Sequence, residues 1–471
     1  MMNWVDARVR GPPAARVLAG AVGGANGLKT RPDRSDIRHK WVSVEGGRSD
    51  DRDDRSDTAE VPSATADNMP DAAGGPSPGR QGGANQSDRA ATAPVGGTRP
   101  LISFVIPSLT VGGAEQVTVS IVNDLATRGY AVELVVAQFD GKLRSALRAD
   151  VEVVELSPNR TPGLGVAAEF GPIVRYLREA EPAALFPHLP RMSVVCLAAA
   201  QVAGTDTAVF PTHHSAYGQG PEDEIKARVV DWLVKHLYPT ADRVIAVSDG
   251  VADGIARLTA VDRADISVLH NPVDVGQVRA RACDPVDDRW IEDDKTPVVL
   301  FVGRLVAQKD LETWLWAFSQ LHERDPDVRG VVAGQGPQRK QVSEVVADLG
   351  LQDVVAIPGY VDNPFRYMSK ADLFLMSSRY EGLPTVLIEA LACGCPVVST
   401  DCPNGPREIL ADGAYGRLVP VGDHEALAAA AAATLADPPA SDRLQARADD
   451  FAPAVVMDDY EQFIQKYVLS A

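Results

Sequence analysis

A chain of 471 residues, 45% hydrophobic and carrying a formal net charge of −18, is long enough for two or three domains with full cores. The acidic balance argues against a nucleic-acid partner, which demands a basic surface, and no apolar run approaches the ~20 residues needed to span a bilayer. Five cysteines, at positions 196, 283, 393, 395 and 402, include no Cys-x-x-Cys pair, so they read as structural thiols of a reducing compartment.

Residues 1–98 are rich in Gly, Ala, Pro, Ser, Asp and Arg and show no sustained periodicity. Such a segment buries too little apolar surface to offset its ordering entropy, and it is expected to be a disordered extension that catalysis does not need. Regular patterning begins at Leu101–Ile106, an apolar run of strand length. A loop with Gly112-Gly113 follows, then a helix with Val117, Ile121 and Leu125 on one face, ended by Gly129. Short strands at Ala131–Ala137, Ala183–Pro187, Ala208–Phe210 and Val244–Val247 alternate with helix patterns. The rhythm stops over 276–296, a linker dense in Pro, Asp and Arg, and resumes with Val298–Val302, Gly330–Ala333, Val354–Ile357 and Leu373–Met376. Alternation that runs, halts and restarts predicts an α/β chain of two doubly wound parallel-sheet domains, 99–275 and 297–455, with a helix over 456–471. Ligands of such sheets bind beyond the carboxyl ends of the strands, so two facing sheets would share one central cleft.

Four groups of residues fall at those strand ends. Arg304 and Lys309 follow Val298–Val302; a guanidinium fork and a compact ammonium suit a diphosphate, although two solvated surface cations would look the same. The pairs Gly112-Gly113 and Gly334-Gln335-Gly336 allow close backbone approach to a phosphate, but neither is a full dinucleotide fingerprint and each is as readily a tight turn. His213 and His214 follow Ala208–Phe210, and either one suits contact with a reacting sugar. The fourth group is the stretch from Ala371 to Leu410: a strand, a turn over 377–382, a helix beginning at Pro384 or Thr385, and carboxylates Glu381 and Glu389 on either side of the helix start. Unpaired N–H groups at a helix N-terminus attract anions, and carboxylates beside them suit sugar hydroxyls. Asp51-Arg52-Asp53 and Asp325-Pro326-Asp327 match a metal–diphosphate pattern, but chance matches are expected in an Asp-rich chain.

Several segments together carry a resemblance: Gly112-Gly113-Ala114-Glu115, Ala246-Val247-Ser248, Asn271-Pro272-Val273-Asp274, Gly303-Arg304-Leu305 with Lys309, Ala333-Gly334-Gln335-Gly336-Pro337, and Glu381-Gly382-Leu383-Pro384 through Glu389. In this order they resemble the retaining glycosyltransferases of the GT-B fold, family 4 (glycosyl transferases group 1), over about four-fifths of the chain. The resemblance implies two Rossmann-like domains facing a cleft, with the last helix crossing back to the first domain. It also implies transfer of a sugar from a nucleoside-diphosphate sugar, UDP-linked by preference, to a glycan or lipid-linked acceptor in cell-surface polysaccharide or glycoconjugate synthesis. Glu381 would hold donor-sugar hydroxyls and Glu389 the ribose. Backbone groups of Gly382, Leu383, Pro384 and Thr385 would meet the diphosphate or sugar, and Arg304 and Lys309 would neutralise the leaving diphosphate. Gly359, Tyr360 and Val361 would carry the nucleobase with Gly336 nearby, Gly113 would approach the phosphate from the other half, and His214 would lie at the sugar, with His213 its rival.

No metal or other cofactor is implied. The expected location is cytoplasmic, with the inner face of the membrane as an alternative; Trp232, Leu233 and Leu237 would suit peripheral contact there, although a helix packed amphipathically on the core would look the same, and loops 159–165 and 215–221 would read the acceptor. Two other readings share the pattern: a nucleotide-sugar epimerase, and a non-catalytic nucleotide-sugar-binding protein.

Overall fold

The computed structural model describes residues 99–470 except 111, 157–166, 216–224, 287–290 and 292–295. The expected acceptor loops lie almost wholly outside the described residues, as do residues 1–98 with Asp51-Arg52-Asp53. The first sheet is parallel, built from β1 (Ile102–Ile106), β2 (Val132–Val136), β3 (Glu152–Glu155), β4 (Ala184–Pro187) and β5 (Ala208–Val209) in the order β3-β2-β1-β4-β5. A small parallel sheet of β6 (Thr212–His213), β7 (Val244–Ala246) and β8 (Ile266–Val268) adjoins it through a bridge between His188 and Thr212. The second large sheet takes β9 (Val298–Val302), β10 (Arg329–Ala333), β11 (Val355–Gly359), β12 (Leu373–Met376), β13 (Val397–Thr400) and β14 (Arg417–Val419) in the order β11-β10-β9-β12-β13-β14, again parallel.

The apolar strand interiors dictate this arrangement. Strands β1, β2, β4 and β12 are buried at every residue, as a sheet covered on both faces by helices requires. In the second half, Trp314 and Phe318 of the helix Leu311–Arg324 stack at 5.4 Å against the sheet, and Trp314 Nε1 donates to the carbonyl of Leu375. The helix Pro453–Tyr467 packs on the first sheet, where Phe463 meets Phe186 and Phe210 edge-on and Val456, Met457, Tyr460 and Ile464 share a core with Ile102 and Phe104. Arg128 ties that helix down at 2.8 Å from Asp458 and 2.9 Å from Glu461.

Two elements differ from the expected pattern. The run Ala208–Phe210 does not continue as one strand: after Val209 the chain passes to the adjoining sheet at Pro211, which has no N–H for a ladder, while the Pro211 carbonyl accepts from Ile245. The segment 276–296, read as a linker, begins in helix: it opens inside Val275–Ala282, capped by Asp274 accepting from Gln277 N–H at 2.9 Å. That helix is held to the second half by Asn363 donating to the Arg281 carbonyl and Ser369 to that of Ala282.

Candidate active site

In each large sheet the strand order reverses beside the first strand, β1 or β9, and the crevice at such a switch point is where ligands enter. The loops after β9 and β10 are zipped together there. Leu305 N–H donates to Gln335 O at 2.9 Å and Gln338 N–H to Leu305 O at 3.0 Å. A Cβ at Gly336 would lie 2.4 Å from Leu305 O, so glycine is required by this contact. The loops after β9 and β12 are joined by Ser377 donating to Lys309 O at 2.8 Å and Arg379 N–H to Gln308 O at 2.8 Å.

This scaffold brings Lys309 Nζ within 2.6 Å of Glu381 Oε1, while Gln308 Nε2 donates to Glu381 Oε2 at 3.2 Å. The pair is largely out of solvent, at 14% and 8% side-chain exposure. Each carboxylate oxygen keeps one further acceptor site, so Glu381 has capacity left for hydroxyl donors. The helix Thr385–Ala392 starts just beyond, with Pro384 at its N-cap and no side-chain cap. Glu389 stands one turn inside it, over Thr385. Burial pushes its carboxyl up to about 7, against the opposing pull of the Thr385 hydroxyl and the Lys309 ammonium. Arg304 is exposed at the mouth of the same loop, and it has no ion pair among the described residues.

Gly359 ends β11 at φ +86, where its carbonyl accepts from Gly334 N–H at 2.7 Å. Tyr360 beyond it is 57% exposed, and Lys142 of the first half lies 5.9 Å from its ring centroid. Val361 is half-buried against the core. Asp325-Pro326-Asp327 precedes β10, at the opposite end of the sheet from this crevice.

From the first half, Gly113 opens the helix Gly113–Thr127, and a Cβ there would meet nothing within 4 Å. His214 lies against the turn after β12: a Cβ on Gly382 would come 1.9 Å from the His214 carbonyl oxygen. The two neighbouring histidines face different surroundings. His213 is in β6 with Nδ1 3.3 Å from the Tyr238 hydroxyl. His214 Nε2 is 2.7 Å from His188 Nδ1, which is also 2.8 Å from Thr118 Oγ1. Burial lowers His214 to about 3 and His213 to about 4, so both are neutral.

His188 escaped the sequence reading, although it follows β4 just as His214 follows β6. The same strand-end rule that singled out His213 and His214 would have found it. Gln308 escaped it too, because its role depends on a contact between segments far apart in the chain.

The family model described as Glycosyl transferases group 1 matches residues 286–451, and that described as Glycosyltransferase Family 4 matches residues 111–277. The chain belongs to the family 4, group 1 glycosyltransferases. It has the GT-B fold. Among solved structures, Anabaena HepE in complex with UDP-glucose superposes with a TM-score of 0.65 at 20% identity, over 78% of this chain and 100% of that one. The apo form of the lipopolysaccharide outer core galactosyltransferase WaaB gives 0.62 at 19% identity, over 78% and 99%.

The glycosyltransferase is 27% identical to the lipopolysaccharide core biosynthesis glycosyltransferase LpsE of Rhizobium meliloti, covering 75% of this chain and 96% of that protein. It is 29% identical to the N-acetylgalactosamine-N,N'-diacetylbacillosaminyl-diphospho-undecaprenol 4-alpha-N-acetylgalactosaminyltransferase of Campylobacter jejuni, over 44% of this chain and 54% of that one. Against that enzyme and two further curated relatives, the chain spans 47–64% of their length.

Proposed function

We propose that this glycosyltransferase moves a glycosyl group from a nucleoside-diphosphate sugar, UDP-linked by preference, to a glycan or lipid-linked acceptor, with retention of anomeric configuration and without a metal ion. The observation that carries the reading is the Lys309–Glu381 pair set beside the uncapped start of the helix Thr385–Ala392. Breaking the sugar–diphosphate bond leaves an oxocarbenium-like sugar and negative charge on the departing oxygen. Lys309, Arg304 and the N–H groups of Gly382, Leu383 and Thr385 are donors for that charge, which is the role a metal would otherwise take. The acceptor hydroxyl attacks the same face, and its proton passes to the departing phosphate oxygen. Glu381 positions the sugar by accepting its hydroxyls, Glu389 accepts from the ribose, and the Gly359–Val361 segment carries the base.

The names of these relatives favour this acceptor class, since one is a diphospho-undecaprenol glycosyltransferase and another a lipopolysaccharide core biosynthesis glycosyltransferase. Among the described residues no helix is long and apolar enough to cross a membrane. A lipid-linked acceptor would be met at the inner membrane face through exposed Trp232 and Val229 with Arg228 and Lys235 beside them, whereas Leu233 and Leu237, expected in that contact, pack against the core.

The test is calorimetric binding of UDP-, GDP- and ADP-sugars, followed by nucleotide release with lipid-linked acceptors. One nucleotide class binding, with acceptor-dependent release, is the expected result. Conversion of the donor to its epimer without acceptor would replace the reading with an epimerase, and no binding at all would leave a different function to be found.

A further inference from the structure

The turn Glu381–Pro384 is held by side chains that accept none of its N–H groups and instead donate to its carbonyls. Asn404 Nδ2 donates to Glu381 O at 3.3 Å. Ser248 Oγ, from the first half of the molecule, donates to Gly382 O at 3.0 Å. In a trans peptide the carbonyl and the following N–H point in opposite directions. Fixing the Glu381 and Gly382 carbonyls therefore turns the N–H groups of Gly382 and Leu383 away from Asn404 and Ser248. Both residues are buried, and neither N–H has a partner among the described residues. Buried N–H groups without partners are costly unless a ligand completes them.

Ser248 is fully buried and holds its place as the N-cap of the helix Asp249–Leu258, accepting from Val251 N–H at 3.3 Å. The seam around it is close-fitting. A Cβ at Gly250 would lie 2.5 Å from Asn404 Oδ1, and Glu408 of the second half receives Asp249 N–H at 3.0 Å and sits 2.5 Å from His270 Nε2.

We infer that Ser248 is a positioning residue for the transfer: its hydroxyl, reaching across from the first half, aims the Leu383 N–H at the departing diphosphate, so that the anion site is complete only when the two halves are seated together. The inference rests on the proposed nucleoside-diphosphate-sugar reading and deepens it. No contact between Ser248 and the substrate is needed; it acts through one peptide plane.

The experiment uses the full chain, with Ser248→Ala, Ser248→Thr and Gly250→Ala. UDP and uridine are titrated calorimetrically, or the corresponding pair if GDP or ADP is the nucleotide bound, and kcat and donor KM are measured by nucleotide release. Ser248→Ala should lose about tenfold in kcat and in preference for the diphosphate over its nucleoside, a smaller loss than removing a whole oxyanion donor. Nucleoside affinity should be unchanged, and Ser248→Thr, which keeps the hydroxyl, should recover most of the loss.

Gly250→Ala leaves the helix cap and the hydroxyl intact but wedges the seam at Asn404, and it should reproduce the loss. That variant separates the seam from the helix cap, whose removal costs stability in Ser248→Ala as well. Wild-type diphosphate preference and kcat in Ser248→Ala, or in Gly250→Ala, would overturn the inference while the functional reading stands. Wild-type protein that binds no nucleoside diphosphate would overturn both.

Discussion

Burial sets the charge of Glu389. Its carboxyl is pushed from the ordinary 4.5 to about 7 by burial, so the folded chain keeps a proton there that the unfolded chain gives up. Stability is therefore lost as pH rises from 4.5 through about 7. Glu389→Gln, which cannot ionise, should raise Tm by a few degrees at pH 8 and change it little at pH 5, as thermal scans would show. The same substitution should raise donor KM about tenfold, because a ribose hydroxyl donates more strongly to a carboxylate than to an amide. Wild-type KM in the Gln variant would remove Glu389 from the donor site. Lys309 and Glu381 make the complementary case. Lys309→Met leaves a carboxylate buried without its cation and should cost about 3 kcal/mol. Adding Glu381→Gln should restore most of that stability but none of the turnover. Recovery of turnover with stability would make the pair structural.

At the scale of elements, the loops after β9 and β10 fit so closely that one methyl group should part them. Gly336→Ala places a Cβ 2.4 Å from Leu305 O, forcing the 334–337 turn away from Gly303–Leu305 and with it Arg304. The variant should lose about 1–3 kcal/mol in denaturant titrations, the range for overpacking, and raise donor KM. Unchanged stability and KM would mean that the turn has room to move. These same elements show what sequence can reveal. Strands β9 and β12 were legible because strands buried on both faces are written as unbroken apolar runs, β1 because only Ser103 interrupts such a run, and the helix Thr385–Ala392 because a Pro-initiated apolar run follows a Gly turn. Strands β3, β6, β8 and β14 were not, being short or flanked by polar residues, with two to four residues each. Of the site, the residues at strand ends were legible. Gln308 on Glu381 and Ser248 on Gly382 were not, since a bond between segments 73 or 134 residues apart leaves no local pattern.

For the whole molecule, the charge is distributed unevenly along the chain. Residues 1–98 carry 13 acidic and 13 basic side chains, so the net charge of −18 resides entirely in 99–471. The field that an anionic donor meets on approach is thus set by the folded body, and Lys309 and Arg304 must offset it locally. The body is also closed on itself. Arg99 lies over Gly129, and the helix Pro453–Tyr467 completes the first core. Every residue proposed to touch the donor falls between Gly113 and Glu389. A chain of 99–471 should therefore keep the Tm, donor KM and kcat of the full chain to within about twofold for the kinetic constants, since substitutions and truncations away from packed or catalytic groups have small effects. Parallel thermal scans and nucleotide-release assays on the two proteins test this. A shortened chain that melts at the same temperature but no longer turns over would place a substrate-binding role in residues 1–98. One that melts lower would place a packing role there instead.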